Sequence, residues 1–183
     1  MKKVILLLAM VVSVCAFAQT EQHMKFMGIE LNGSIKAFQS KLETKGATVS
    51  PLSSKMPNGV RLFNGVFSGE NAQIAVFYNP RSKEVYRAKA VIERFGKDKI
   101  EQLFENMESK LDLKYGNESK TSEVIEDDHL HSFKQVQYVV ENGSINLYIV
   151  SSSYTSHSDF DLHIDYYDLE NYASNLLEEM EDL

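Results

Sequence analysis

SKLETKG at residues 40–46 and SKLDLKYG at residues 109–116 follow one pattern: Ser-Lys-Leu, an acid, one free position, a lysine, then a glycine at once or one residue later. Each closes a run of apolar residues at helical spacing. In the first, Ser34 stands where an N-cap belongs, Ile35, Phe38 and Leu42 recur on one face, and Gly46 ends the segment. In the second, Ile100, Leu103, Phe104, Met107 and Leu111 make a longer stripe, Tyr115 extends it by one turn, and Gly116 stops it.

Outward from these helices the chain reads as polar connections followed by β meanders. Strands are predicted near residues 60–67, 72–78 and 85–94, with Gly69-Glu70-Asn71 and Asn79-Pro80-Arg81-Ser82 as breaks. Three more are predicted near 133–140, 144–150 and 160–167, with Asn142-Gly143 as a hairpin signal. The Ser-Lys-Leu segments are offset by 69 positions, and Glu70-Asn71 and Glu141-Asn142 by 71. That agreement predicts an internal duplication of an α-β-β-β unit. The expected fold is α+β: two tandem units, residues 19–96 and 97–167, form one antiparallel sheet with helices on one face. A C-terminal helix over 168–183 follows, with Leu169, Tyr172, Ala173, Leu176, Leu177 and Met180 expected to face inward.

This arrangement resembles the β-lactamase-inhibitor-protein-like architecture, in which two tandem units of helix plus meander leave one sheet face open and concave. FMGIELNGSIKAFQSKLETKG at residues 26–46 is also similar to the opening of a group of uncharacterised short secreted proteins from Gram-negative bacteria. The resemblance implies a fold and transfers no catalytic residue, because its motifs are structural. The inhibitor's cysteines are missing, so inhibition of a lactamase is not implied.

At the N-terminus, Lys2 and Lys3 precede an apolar run over residues 4–14 and then Ala16-Phe17-Ala18. This is the pattern of a signal peptide over residues 1–18, with Gln19 as the mature start and a secreted or periplasmic destination. The run is shorter than the ~20 residues a spanning helix needs. Cys15 follows Val12-Ser13-Val14, but a lipidation site wants a small residue where Val14 stands. Cleavage after Ala18 removes the sole cysteine, and with it any disulfide or thiol chemistry. About 165 residues remain, enough for one domain or two small fused units with a real core.

Composition and motif exclude several classes. No Gly-x-Ser-x-Gly elbow, phosphate loop or dinucleotide fingerprint occurs. Residues 20–96 carry a net charge of +5 and residues 97–183 a net of −14, with every arginine in the first half. An acidic, exported chain whose basic half lacks a dense Lys/Arg run argues against nucleic acid.

Two clusters carry the functional expectation. In residues 159–166, Asp159, Asp161, His163 and Asp165 alternate with Phe160, Leu162, Ile164 and Tyr166, placing the polar set on one side of a strand. On the matching strand of the first half, Arg87 and Lys89 lie opposite Tyr86, Ala88, Ala90 and Ile92. A half-buried strand with a wet face accounts for such alternation by itself, but aspartate is depleted in strands. Arg87, Lys89, Asp159, Asp161, His163 and Asp165 are therefore the expected partner-binding residues. The second cluster, residues 126–131, offers Asp128, His129 and His131 as candidate ligands should a divalent cation bind, although no metal or cofactor is expected as a resident group.

The function expected from the sequence is a secreted or periplasmic, non-enzymatic binding or interaction protein using the open sheet face. Its partner would be a protein or small molecule in the cell envelope or outside the cell, with no nucleic acid and no membrane span. The alternative is a small-molecule or divalent-cation-binding module, and a hydrolase comes third.

Overall fold

The computed structural model describes residues 23–116, 120–126, 132–151 and 160–180. The leader with its expected cleavage site lies outside these residues, as do Asp128, His129, His131 and Asp159. The chain begins with a small hairpin, β1 (Lys25–Phe26) and β2 (Ile29–Glu30), followed by helix α1 (Ile35–Glu43). Next come β3 (Thr48–Val49), a 3₁₀ turn (Pro51–Lys55), β4 (Val60–Phe67), β5 (Glu70–Tyr78) and β6 (Val85–Phe95). Helix α2 (Lys97–Tyr115) leads to β7 (Lys120–Glu126), β8 (Ser132–Val140), β9 (Gly143–Ser151) and β10 (Phe160–Asp168), and the chain ends in helix α3 (Leu169–Met180).

The fold is α+β. Eight strands form one antiparallel sheet in the order β3-β4-β5-β6-β10-β9-β8-β7. The last strand before α2 and the last before α3 therefore lie side by side at the centre. Each meander carries one more outer strand than the sequence suggests. β3 is only two residues long, and the polar Lys120–Glu126 segment, whose residues 121–124 are exposed, pairs along one edge only as β7.

One face of the sheet holds the core. Phe63, Ile74, Val76, Ala88, Ala90, Ile92, Leu147, Leu162, Ile164 and Tyr166 join Ile35, Phe38 and Leu42 of α1 and Ile100, Phe104, Met107 and Leu111 of α2 in a single buried cluster. The helical stripes seen in the sequence thus pack as expected, and Ser34 caps α1 by accepting from the Ala37 amide at 3.3 Å. The β1–β2 hairpin fills the same face: Phe26 stacks on Phe67 and meets Tyr166 edge-on, both with ring centroids 5.4 Å apart.

Two details differ from expectation. The β4–β5 turn is Ser68-Gly69, both with positive φ, so Glu70-Asn71 opens β5; Glu141-Asn142 instead forms the β8–β9 turn itself. Gly143 serves the strand, because a Cβ there would lie 1.9 Å from the Tyr167 carbonyl oxygen.

Helix α3 forms where expected but faces the other way. Asn171 and Asn175 are buried, while Leu169, Leu176, Leu177 and Met180 are exposed. Hydrogen bonding decides the face. Asn171 Nδ2 donates to the backbone carbonyls of Leu31 at 2.8 Å and Val85 at 3.2 Å, and Asp168 caps the helix by accepting from the Asn171 amide at 3.0 Å. With Asn79 Nδ2 donating to Glu178 at 2.8 Å, α3 is fixed across the sheet end where β6 begins and β5 and β10 finish.

Candidate binding face

The opposite face of the sheet carries neither α1 nor α2, and the register lines its side chains up in rows. Arg87 lies between Phe77 and Tyr167, Lys89 between Ala75 and Asp165, and Val91 between Gln73 and His163. β9 extends these rows with Ser144 beside Tyr167, Asn146 beside Asp165 and Tyr148 beside His163. Of the expected site residues, Arg87, Lys89, His163 and Asp165 come together on adjacent strands at the centre of the sheet. Asp161 sits on the same side of β10, opposite Val150.

Arg87 and Asp165 form a two-pronged pair, Nε to Oδ1 at 2.9 Å and Nη2 to Oδ2 at 2.5 Å. The guanidinium is sandwiched between Phe77 at 4.2 Å and Tyr167 at 4.6 Å, and the Tyr167 hydroxyl donates to Asp165 Oδ2 at 3.2 Å. Burial works against the charge on Arg87, yet the hydrogen bonds and charge of Asp165 hold its pKa above the ordinary value. Asp165, which the sequence places in an acidic ladder, is only 1% exposed and is committed to this arginine.

Lys89 is half-buried beside the pair and makes no ion pair among the described residues. Its Nζ lies 5.6 Å from the centroid of Tyr148. Burial lowers its pKa; Asp165 opposes that and Arg87 adds to it. The His163 ring lies 5.0 Å from that of Tyr148, and burial, aided by the Lys89 charge, pushes its pKa down to about 3. His163 is therefore neutral at physiological pH. Among the described residues, its Nδ1 and the Oδ1 of Asn146 are buried atoms with no hydrogen-bond partner. Burial raises the Tyr148 hydroxyl to about 12, so it also stays neutral.

The centre of the face thus holds two cations, Arg87 and Lys89, against one carboxylate, Asp165. Next to it, Asn64, Val66, Gln73, Val91 and Glu93 line an open depression of about 580 Å³. Phe77, Asn146, Tyr148 and Tyr167 complete the cluster and were not identified from the sequence. For Asn146 and Tyr148, their positions alternating with Ile145, Leu147 and Ile149 in β9 were the available signal.

Among the described residues no group of three or more His, Cys, Asp and Glu side chains could hold a metal ion, and no helix is long and apolar enough to cross a membrane. Compared with protein-family models, curated proteins and solved structures, the chain matches none.

Proposed function

We propose that the protein is a secreted or periplasmic, non-enzymatic binding module whose open sheet face takes an anionic partner, a carboxylate-bearing protein segment or small molecule. The observation that carries this reading is Lys89: a half-buried ammonium that makes no ion pair among the described residues and lies 5.6 Å from the centroid of the Tyr148 ring. A carboxylate meets Lys89, and the Tyr148 ring offers a flat apolar wall. A cation finds less here, since Arg87 already occupies Asp165. The depression beside His163 gives room for the rest of the ligand.

The same reading treats the chain as two tandem units, residues 19–96 and 97–167, as the resemblance to the lactamase-inhibitor-protein-like architecture implies. The mirrored strand order supports it, since each half supplies its last strand to the central seam. The different places of Glu70-Asn71 and Glu141-Asn142 show that the halves are not aligned by the 71-residue offset.

The test is an NMR titration of the mature protein with uronic acids and N-acetylated amino acids, each against its uncharged amide or neutral sugar counterpart. The expected result is saturable shifts at Lys89, Tyr148 and His163 for the carboxylates only, lost in Lys89→Met. Equal response to the neutral compounds, or none to any, overturns the proposal.

A further inference from the structure

We propose that a cleft on the helix-bearing side of the sheet is a second binding site, one that takes a small monocarboxylate with an apolar body. Residues of α1, the connection from β3 to β4, β4 itself and the end of β5 line a cleft of about 780 Å³. That is the size of a small-molecule pocket. Arg61 stands in its wall. It pairs across the sheet with Val76, a core residue, and its Nη1 donates to Gln39 Oε1 of α1 at 2.7 Å. The cleft shares no lining residue with the depression beside His163 or with the cluster around Lys89.

The polar groups of this cleft have donors to spare and no carboxylate to receive them. A guanidinium carries five N–H donors. Arg61 gives one to Gln39 and makes no ion pair among the described residues. Glu43 accepts from Gln39 Nε2 at 2.7 Å instead, and no Asp or Glu is among the described residues lining the cleft. Ser50 Oγ accepts from the Leu52 amide at 3.3 Å and Ser53 Oγ from the Leu62 amide at 3.1 Å. Accepting uses a lone pair and leaves each hydroxyl proton free to donate. One guanidinium answers one negative charge, and its planar fork matches the two oxygens of a carboxylate. The rest of the lining is apolar. Val49 is 42% exposed and Met56 38%, so neither is covered by the chain, and the Tyr78 ring centroid lies 5.9 Å from Arg61 Cζ. A bare anion leaves that apolar wall unused, and a neutral molecule leaves the guanidinium unanswered.

The test is a residue-resolved NMR titration of the full chain with hexanoate, hexanamide, acetate and hexyl phosphate. The expected outcome is saturable shifts at Arg61, Val49 and Met56 with hexanoate, weaker binding of acetate, and no response to hexanamide. Arg61→Gln should weaken hexanoate binding by about tenfold or more, the worth of a charge-assisted hydrogen bond. Met56→Glu sets a carboxylate at an exposed lining position, so it should weaken hexanoate while melting at the wild-type temperature. If Arg61→Gln fails to fold, Met56→Glu decides. Lys89→Met should bind hexanoate at Arg61 like the wild type, so failure of the open-face proposal leaves this one standing. Wild-type affinity in Met56→Glu overturns the proposal, as does an equal response to hexanamide. So do tighter binding of hexyl phosphate than of hexanoate, and shifts confined to Lys89, Tyr148 and His163.

Discussion

Single residues at the centre of the sheet do structural work that their charges conceal. Asp165 looks in the sequence like a free surface acid, but it is the buried anchor of Arg87. Removing one member of a buried pair leaves the other uncompensated, so Asp165→Asn should cost ~3–5 kcal/mol in urea denaturation. His163 gives a pH signature. Folding holds its pKa near 3, while the unfolded side chain titrates near 6.5, so the unfolded state takes up the extra proton as pH falls. Stability is then full above about pH 6.5 and declines toward pH 3, with a loss on the order of 2 kcal/mol at pH 5. Denaturation at pH 7.5 and pH 5 should show that loss in the wild type and little of it in His163→Asn. Glu108 and Asp112 act in a separate, lower window. Burial opposes their ionisation, but hydrogen bonds from Lys120 and Lys134 to Glu108, and from Tyr138 and Lys120 to Asp112, hold both pKa values below the ordinary carboxylate range. Their contribution fades only as pH drops through about 4 and below.

At the scale of elements, what the sequence revealed and what it hid have physical causes. α1 and α2 were legible because their burial follows one periodicity, and Phe104, 4% exposed, should cost ~2–5 kcal/mol on replacement by Ala. Leu103 only borders the core, so Leu103→Ala should cost less than that range in the same thermal melt. β7 escaped notice because it is polar, with Val124 70% exposed, and is held by distant partners. Lys120 reaches Glu108 at 2.6 Å and Asp112 at 3.0 Å on α2, which no local pattern announces. The face of α3 was misjudged for a related reason. Apolar spacing shows where a helix could bury itself, but hydrogen bonds from Asn171 to the carbonyls of Leu31 and Val85 fix where this one did. The candidate site was half legible: alternation placed Arg87, Lys89, His163 and Asp165 on polar strand sides, but the Arg87–Asp165 pairing depends on strand order.

The whole molecule is one sheet whose halves lean on each other. β6 and β10 pair over most of their length, and side chains from both halves enter a single core cluster. Residues 97–183 made alone would expose one edge of β10 along with part of that core, so the fragment should show no cooperative thermal unfolding, whereas the full chain should melt in one transition. Two separate transitions for the intact chain would mean that its halves fold independently. The +5 and −14 charges of the halves also meet at this seam, where Arg87 and Asp165 turn a global imbalance into a local bond.

The central seam also sets an order of events. Arg87 and Asp165 are 78 residues apart in sequence, and β10 is the last strand to be synthesised. Until it arrives, β6 has an open hydrogen-bonding edge in the middle of what will become the sheet. Closing it requires a long loop to find its register, the slow kind of contact that leaves sticky intermediates during folding. The nascent chain thus carries its main aggregation hazard at its future centre, and anything that delays β10 prolongs the time during which β6 can pair with a stranger.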